Sequence, residues 1–232
     1  MCGITGYFHF DNSRLVSVER LKKMTDSLIH RGPDGEGFFI HNNIALGHRR
    51  LAIIDLQTGD QPMYSEDKTI AIVFNGEIYN YIELKEELKK FGFHFKTTSD
   101  TEVIISAYQK WGIDCLKKFN GCWAIALWDD KQKQMFLSRD RIGEKPLYYA
   151  KFDDSLIFGS EIKSLLAYGI PREIAGEMTE IYLTLGYIPA PFSFYKYIFK
   201  LHAGHYLLIN EKGYSDHKYW ELPQVCEKDG YR

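Results

Sequence analysis

The chain opens Met1-Cys2-Gly3-Ile4-Thr5-Gly6, with a cysteine directly behind the initiator methionine. Removal of Met1, which a small side chain at position 2 permits, would leave one residue carrying both a thiol and a free α-amino group. That pair is a nucleophile with its own base. A main-chain amine titrates at about 7.7–8.0 and a thiol at about 8.5, so near neutral pH each is within reach of the protonation state that catalysis needs. With Met1 retained, the same nitrogen is a non-basic amide. From the dipeptide alone an incidental cysteine is the stronger reading. Five further segments carry polar residues or glycines that a purely structural sequence would not need: Arg31-Gly32-Pro33-Asp34, Gly47-His48-Arg49-Arg50-Leu51, Asn75-Gly76-Glu77-Ile78-Tyr79-Asn80, Ser99-Asp100 and Arg139-Asp140-Arg141-Ile142-Gly143.

The elements that must hold these groups are legible in part. Val18, Leu21, Met24 and Leu28 recur at helical spacing and stop at Gly32-Pro33. Tyr81, Leu84, Leu88 and Phe91 repeat that spacing before Gly92, and Ser99-Asp100-Thr101-Glu102 reads as a capping box opening a third helix toward Trp111. A fourth helix is predicted from near Ser160 to Gly169. Strands are predicted at 3–10, 36–41, 44–54, 69–75, 122–129, 134–139, 146–150, 156–159 and 205–210. Several are joined by turns too short for a crossover helix, so antiparallel pairing is favoured. The run from Cys122 to Trp128 is apolar on both faces, which implies sheets covered on both sides. An α+β fold of stacked sheets with helices outside follows. Residues 176–200 read as an excursion rich in Tyr and Phe.

Composition narrows the classes. The 232 residues carry a net charge of −2 with no long run of one sign, which argues against nucleic acid or an anionic membrane as the main partner. Sixteen Tyr, fifteen Phe and four Trp point to a sheet-rich core. The N-terminus lacks a basic region followed by an apolar stretch, and no run approaches the length of a membrane span, so a cytoplasmic chain is expected. Cys2, Cys115, Cys122 and Cys226 form no CxxC pair, and Cys115 and Cys122 are expected to be small buried hydrophobes. His202 and His205 lack a partner at metal-site spacing and read as structural; no metal site is expected. Neither a GxxxxGK[ST] loop nor a GxGxxG fingerprint occurs.

Taken with the Cys2 terminus, the five segments resemble the glutaminase domain of class II, N-terminal-nucleophile glutamine amidotransferases. More narrowly, the chain is similar to the amino-terminal half of glutamine-hydrolysing asparagine synthetases. The resemblance runs from Cys2-Gly3-Ile4 through Phe158-Gly159-Ser160-Glu161-Ile162-Lys163 to Gly204-His205-Tyr206-Leu207. It implies a four-layer αββα sandwich of mostly antiparallel sheets, a glutaminase domain over 1–222, and a linker from 223 to 232 leading toward an ATP-dependent synthetase domain.

By the same resemblance, Cys2 attacks the side-chain amide of L-glutamine, with its freed amine as base and later as proton donor to ammonia. Asn75 and Gly76 match the donors of a side-chain and a main-chain N–H to the tetrahedral oxyanion, a class of contact worth about 2.7–4 kcal/mol each. Asn-Gly is also a common hairpin turn. Arg50 matches the clamp on the glutamine α-carboxylate, a bidentate fork that lysine imitates poorly. Asp100 matches the partner of the α-ammonium, although an acidic residue in a first helical turn also suits the helix dipole. Glu77 and the main chain at Ile53 match positions lining the glutamine pocket. Arg49 should face away, since consecutive strand residues point to opposite sides. Arg31 to Asp34 matches a segment near the active-site cover. The Arg139 to Gly143 segment reads as scaffold fixed by ion pairs, and Tyr79 and Asn80 as anchors of the second helix.

The resemblance implies no cofactor for the glutaminase reaction, with ATP and Mg required only by a synthetase domain, present in cis or in trans. It is also compatible with a homodimer. No Ser-Gly-Gly pyrophosphate loop appears before Arg232, so asparagine synthesis by these residues alone is not expected. Two alternatives stay open: a glutaminase domain of a β-lactam synthetase-like or sugar-phosphate-aminating enzyme, and a non-catalytic module that binds glutamine or a partner on the same scaffold.

Overall fold

A computed structural model describes residues 1–52, 55 and 58–223. In chain order the elements are β1 (Gly3–His9), α1 (Val18–Asp26), β2 (Gly35–His41), β3 (Ile44–Arg50), β4 (Met63–Tyr64), β5 (Ile70–Ile78), α2 (Tyr81–Lys89) and α3 (Asp100–Trp111). A 3-10 turn (Gly112–Asp114) then leads to α4 (Cys115–Lys118), β6 (Gly121–Asp129), β7 (Gln134–Arg139), β8 (Tyr148–Phe152), β9 (Ser155–Gly159) and α5 (Ile162–Tyr168). The chain finishes with α6 (Gly176–Leu185), β10 (Phe199–Lys200), β11 (His205–Asn210) and β12 (Gly213–Lys218).

The strands form two six-stranded sheets, ordered β10-β8-β9-β1-β3-β2 and β12-β11-β7-β6-β5-β4. Every pairing between named strands is antiparallel. The period-2 alternation of side chains divides the core into three layers. Ile4, Phe8, Ile44, Leu46, Ala71, Val73, Ala124 and Ala126 fill the space between the sheets. Tyr7, Ala45 and Ile157 turn outward and meet Leu21 and Met24 of α1 and Leu165 of α5. On the other outer face Ile72, Phe74, Trp123 and Ile125 meet Leu84 and Leu88 of α2 and Val103 and Ile104 of α3. The result is the expected αββα order of layers.

Local signals explain most boundaries. The Ser17 hydroxyl caps α1 by accepting from the Arg20 N–H at 3.2 Å. Ser99 caps α3 through Thr101 N–H at 3.2 Å. The capping box does not close: the Glu102 carboxylate instead accepts from the Lys96 and Thr97 amides, both at 2.8 Å.

Besides the two-residue β10, which also falls inside the supposed excursion, four elements depart from the sequence expectation. Helix α6 lies inside the supposed excursion, because its residues GEMTEIYLTL are apolar on several sides and bury only Met178, leaving no clear stripe to detect. It closes a small cluster of its own with Ala175 and Ile188. Strand β12 is a polar, exposed edge with no alternation to reveal it. β4 and α4 span two and four residues, too short for a periodic signal. In addition, β3 ends at Arg50 rather than continuing, and β8 begins at Tyr148. Asn75 and Gly76 lie within β5, paired with Ala124 and Trp123, and are not a hairpin turn. Of the segment 223–232, only Pro223 is described.

Gly6 sits where the central strand has no room for a side chain: a Cβ there would lie 2.3 Å from the Ala45 carbonyl oxygen and 2.7 Å from the Phe158 ring. Gly6→Ala is therefore expected to destabilise the fold by about 2 kcal/mol or more. Urea denaturation checks this, and an unchanged midpoint would contradict the packing described.

Candidate active site

The alternation that orders the core also aims the polar residues. Ile44 and Leu46 face the inter-sheet layer, so Arg50 at the end of β3 faces it too; Ala71 and Val73 fix the same facing for Asn75 and Glu77. In β1 the pairing of Gly3 with Arg49 places Cys2 opposite Arg50. These side chains converge at one open end of the sandwich. There Cys2, Arg50, Asn75, Gly76, Glu77 and Asp100 line a single cleft of about 540 Å³ including its mouth, together with Met1, Leu51, Gln61 and Lys145. Ile53 lies outside the described residues. Arg49 points the other way, as expected, and pairs with Asp26 and, at 2.8 Å, with Glu36.

The Cys2 sulfur is held by main chain: it accepts the Leu51 N–H at 3.3 Å and lies 3.5 Å from the Leu51 carbonyl. Burial pushes the thiol up, and the Leu51 N–H, Arg50 and Arg31 partly oppose that. The Cys2 carbonyl accepts from Arg31 Nε at 2.9 Å, and Arg31 is in turn paired with Glu161 at 3.0 Å. Partial burial alone would raise the Glu161 carboxyl; Arg31, His30 and Lys163 outweigh it and hold the group low. The sequence placed Arg31 only near a cover. Its motif was visible, but its contact with residue 2 crosses 29 positions of chain.

Across the cleft, Asn75 is 1% exposed and its Nδ2 has no hydrogen-bond partner among the described residues. A buried amide donor left open costs free energy unless something fills its place. Gly76 permits the strand to run close to its neighbour, since a Cβ there would lie 2.1 Å from the Cys122 carbonyl oxygen. Arg50 donates to Asp60 at 2.8 Å and to the Asp55 carbonyl at 2.5 Å. Asp34 steadies the same edge by accepting from Ala52 N–H at 2.9 Å. Asp100, the first residue of α3, accepts from the Ile78 N–H at 3.0 Å, yet burial pushes its carboxyl up to about 6 despite that bond.

The neighbouring segments are held by contacts outside the cleft. Asn80 is the N-cap residue of α2 but makes no side-chain cap bond; it donates to the Lys118 carbonyl at 3.0 Å and accepts from Asn120 N–H at 2.9 Å, tying the start of that helix to the turn after α4. Tyr79 OH meets the Cys122 sulfur at 3.2 Å. The turn after Arg139 is fixed by hydrogen bonds to main chain rather than by ion pairs. His205 has a carboxylate neighbour after all, Asp216 at 2.7 Å. Cys115 and Cys122 are buried, as expected. Among the described residues no group of three His, Cys, Asp or Glu is arranged to hold a metal, and no helix is long and apolar enough to cross a membrane.

The glutamine amidotransferase domain family matches residues 1–220. The chain belongs to that family. It is 44% identical to "Putative asparagine synthetase (glutamine-hydrolyzing) 2" of Methanocaldococcus jannaschii, over 96% of this chain and 47% of that protein. Identity to asparagine synthetase (glutamine-hydrolyzing) 3 of Bacillus subtilis is 37%, over all of this chain and 38% of that one. The chain thus spans less than half the length of these relatives, and matches their glutaminase half. Among solved structures, the glutamine phosphoribosylpyrophosphate amidotransferase of B. subtilis superposes with a TM-score of 0.71 at 21% identity, covering 95% of this chain and 50% of that one. That likeness shows a shared fold.

The raised Asp100 value links this site to stability. A carboxyl whose folded value lies above the unfolded one, about 3.9, favours folding when protonated; that contribution is complete below about pH 4 and is lost as pH rises through about 6. Asp100→Asn keeps an acceptor for Ile78 N–H and removes the charge. It is expected to stabilise the fold by up to about 2 kcal/mol at neutral pH and by almost nothing near pH 4. Thermal unfolding at both pH values checks this; an equal gain at both would contradict it.

Proposed function

We propose that the domain hydrolyses L-glutamine to glutamate and ammonia through a γ-glutamyl thioester on Cys2. One observation carries the reading: the residue-2 thiol, the Arg50 guanidinium and the open Asn75 amide nitrogen line the same cleft. Met1 lines it as well, so its removal both frees the α-amine and clears substrate space.

In this mechanism the free amine accepts the thiol proton as Sγ bonds to the amide carbon of glutamine. The resulting oxyanion is met by Asn75 Nδ2–H and Gly76 N–H, donors set before the charge develops. The intermediate collapses with proton transfer from the amine to the leaving nitrogen, which departs as ammonia. Water then attacks the thioester and returns the sulfur with its proton. Arg50 exchanges its exposed partner Asp60 for the α-carboxylate of glutamine, and Asp100 takes the α-ammonium. Because Asp100 is ionised only above about pH 6, glutamine binding weakens on the acid side. Glu77 completes the pocket wall among the described residues.

The reaction uses the chain's own groups and water, with no cofactor. Ammonia then passes to an ATP- and Mg-dependent synthetase domain, in cis beyond a linker beginning near residue 223 or in trans. The relatives' names support aspartate amination to asparagine as the use of that ammonia. We place the protein in the cytoplasm and allow it to assemble as a homodimer.

Glutaminase assay of protein shown by mass spectrometry to begin at Cys2 tests the reading. Cys2→Ala is expected to abolish hydrolysis with the fold intact; full activity in that variant would refute the assignment, and inactive mature wild type that binds glutamine would favour a binding module. Arg50→Lys should raise KM for glutamine more than it lowers kcat, because the clamp is made in ground and transition states alike. Equal losses in kcat and kcat/KM with unchanged binding would contradict that role.

A further inference from the structure

The turn between β7 and β8 is built more firmly than a connecting loop requires. Both oxygens of the buried Asp140 carboxylate are used: Oδ1 accepts from Glu144 N–H at 2.9 Å, and Oδ2 from Lys145 N–H at 2.9 Å and Trp123 N–H at 3.2 Å. The Arg139 guanidinium supplies the complementary half, donating to the carbonyls of Gly143 at 2.7 Å, Lys145 at 2.8 Å and Leu201 at 2.7 Å. Residue 145 is therefore pinned at both its N–H and its carbonyl. From that mount Lys145 enters the cleft, half-buried, with Nζ 3.6 Å from the sulfur of Met1. Five bonds separate that sulfur from the Cys2 nitrogen, so the ammonium stands within about 10 Å of it.

Charge compensation distinguishes Lys145 from the other cations here. Arg31 is paired with Glu161 and Arg50 with Asp60, whereas Lys145 makes no ion pair among the described residues. The anions that face the cleft are Glu77, from β5, and Asp100, from α3. Bound glutamine would place its own ammonium against Asp100, and Glu77 makes no ion pair with Lys145 among the described residues, so Lys145 stays a positive charge near the Cys2 terminus.

We infer that Lys145 is a positioning residue for the proton on Cys2: its fixed ammonium disfavours protonation of the freed α-amine and so keeps the general base in its neutral form. The inference rests on the proposed glutaminase chemistry for its purpose, but not for its measurement. An unperturbed terminal amine is largely protonated at neutral pH and cannot accept the thiol proton. A like charge nearby lowers the amine's affinity for a proton, and the same field favours thiolate over thiol. Both effects act in the direction that the mechanism needs.

The test compares wild type, Lys145→Met and Lys145→Arg, each as the mature Cys2 form carrying 13C-labelled cysteine. NMR titration of the Cys2 resonances reads its proton affinity directly. Lys145→Met should move the titration up by about 0.5–1 pH unit, Lys145→Arg should leave it near wild type, and high salt should shrink the difference. The acid limb of kcat/KM should move with it, lowering activity there by about 3–10-fold, while thermal unfolding stays unchanged. Superimposable Cys2 titrations in wild type and Lys145→Met would overturn the inference, as would a change confined to KM. A shifted titration in protein that never hydrolyses glutamine would uphold the inference and sink the glutaminase reading alone.

Discussion

The register between β1 and β3 is the constraint from which the rest follows. Gly3 pairs with Arg49, so residue 2 stands opposite residue 50, and the period of two sends both side chains into the layer between the sheets. A slip of one residue in β1 alone would turn the sulfur toward α1 while Arg50 stayed at the cleft, separating the two groups. The register is held by the whole sandwich: β1 is bonded on both sides, by β3 and β9, and its Ile4 and Phe8 are buried among the side chains of the opposite sheet. The apolar core sets the position of the polar end.

How much of this was legible in the sequence depends on the range over which each signal acts. Helices α1 to α3 have apolar stripes, with side-chain caps on α1 and α3, and the long apolar strands have composition, so these were visible. The facing of Arg49 away from the cleft was visible for the same reason, since it needs only a strand and its period. Arg31 was harder: its role depends on a guanidinium reaching the carbonyl of Cys2 from the turn that follows α1. The distinction between turn and strand at Asn75-Gly76 was also nonlocal, because the β5–β6 pairing decides it. Helix α6 escaped because few of its residues are buried, and an apolar pattern without a burial face carries no period.

The cleft combines groups that each would be costly alone. Asn75 keeps a buried N–H open, Asp100 sits in a place that resists its charge, and the Cys2 thiol is shielded from water. Such a set is destabilising in an empty protein and, under the proposed function, becomes favourable when a zwitterion with a side-chain amide fills it. The rigid surroundings hold these groups in that state: Arg31 and Leu51 fix residue 2, and Ile78 fixes Asp100.

Met1 shares the cleft with the residues that would bind substrate. An unprocessed chain is then, under the proposed chemistry, its own occluded precursor, and specific activity counts the trimmed fraction of molecules. Purification handles or fusions belong at the opposite terminus, because any extension upstream would be threaded through the place where the reaction occurs.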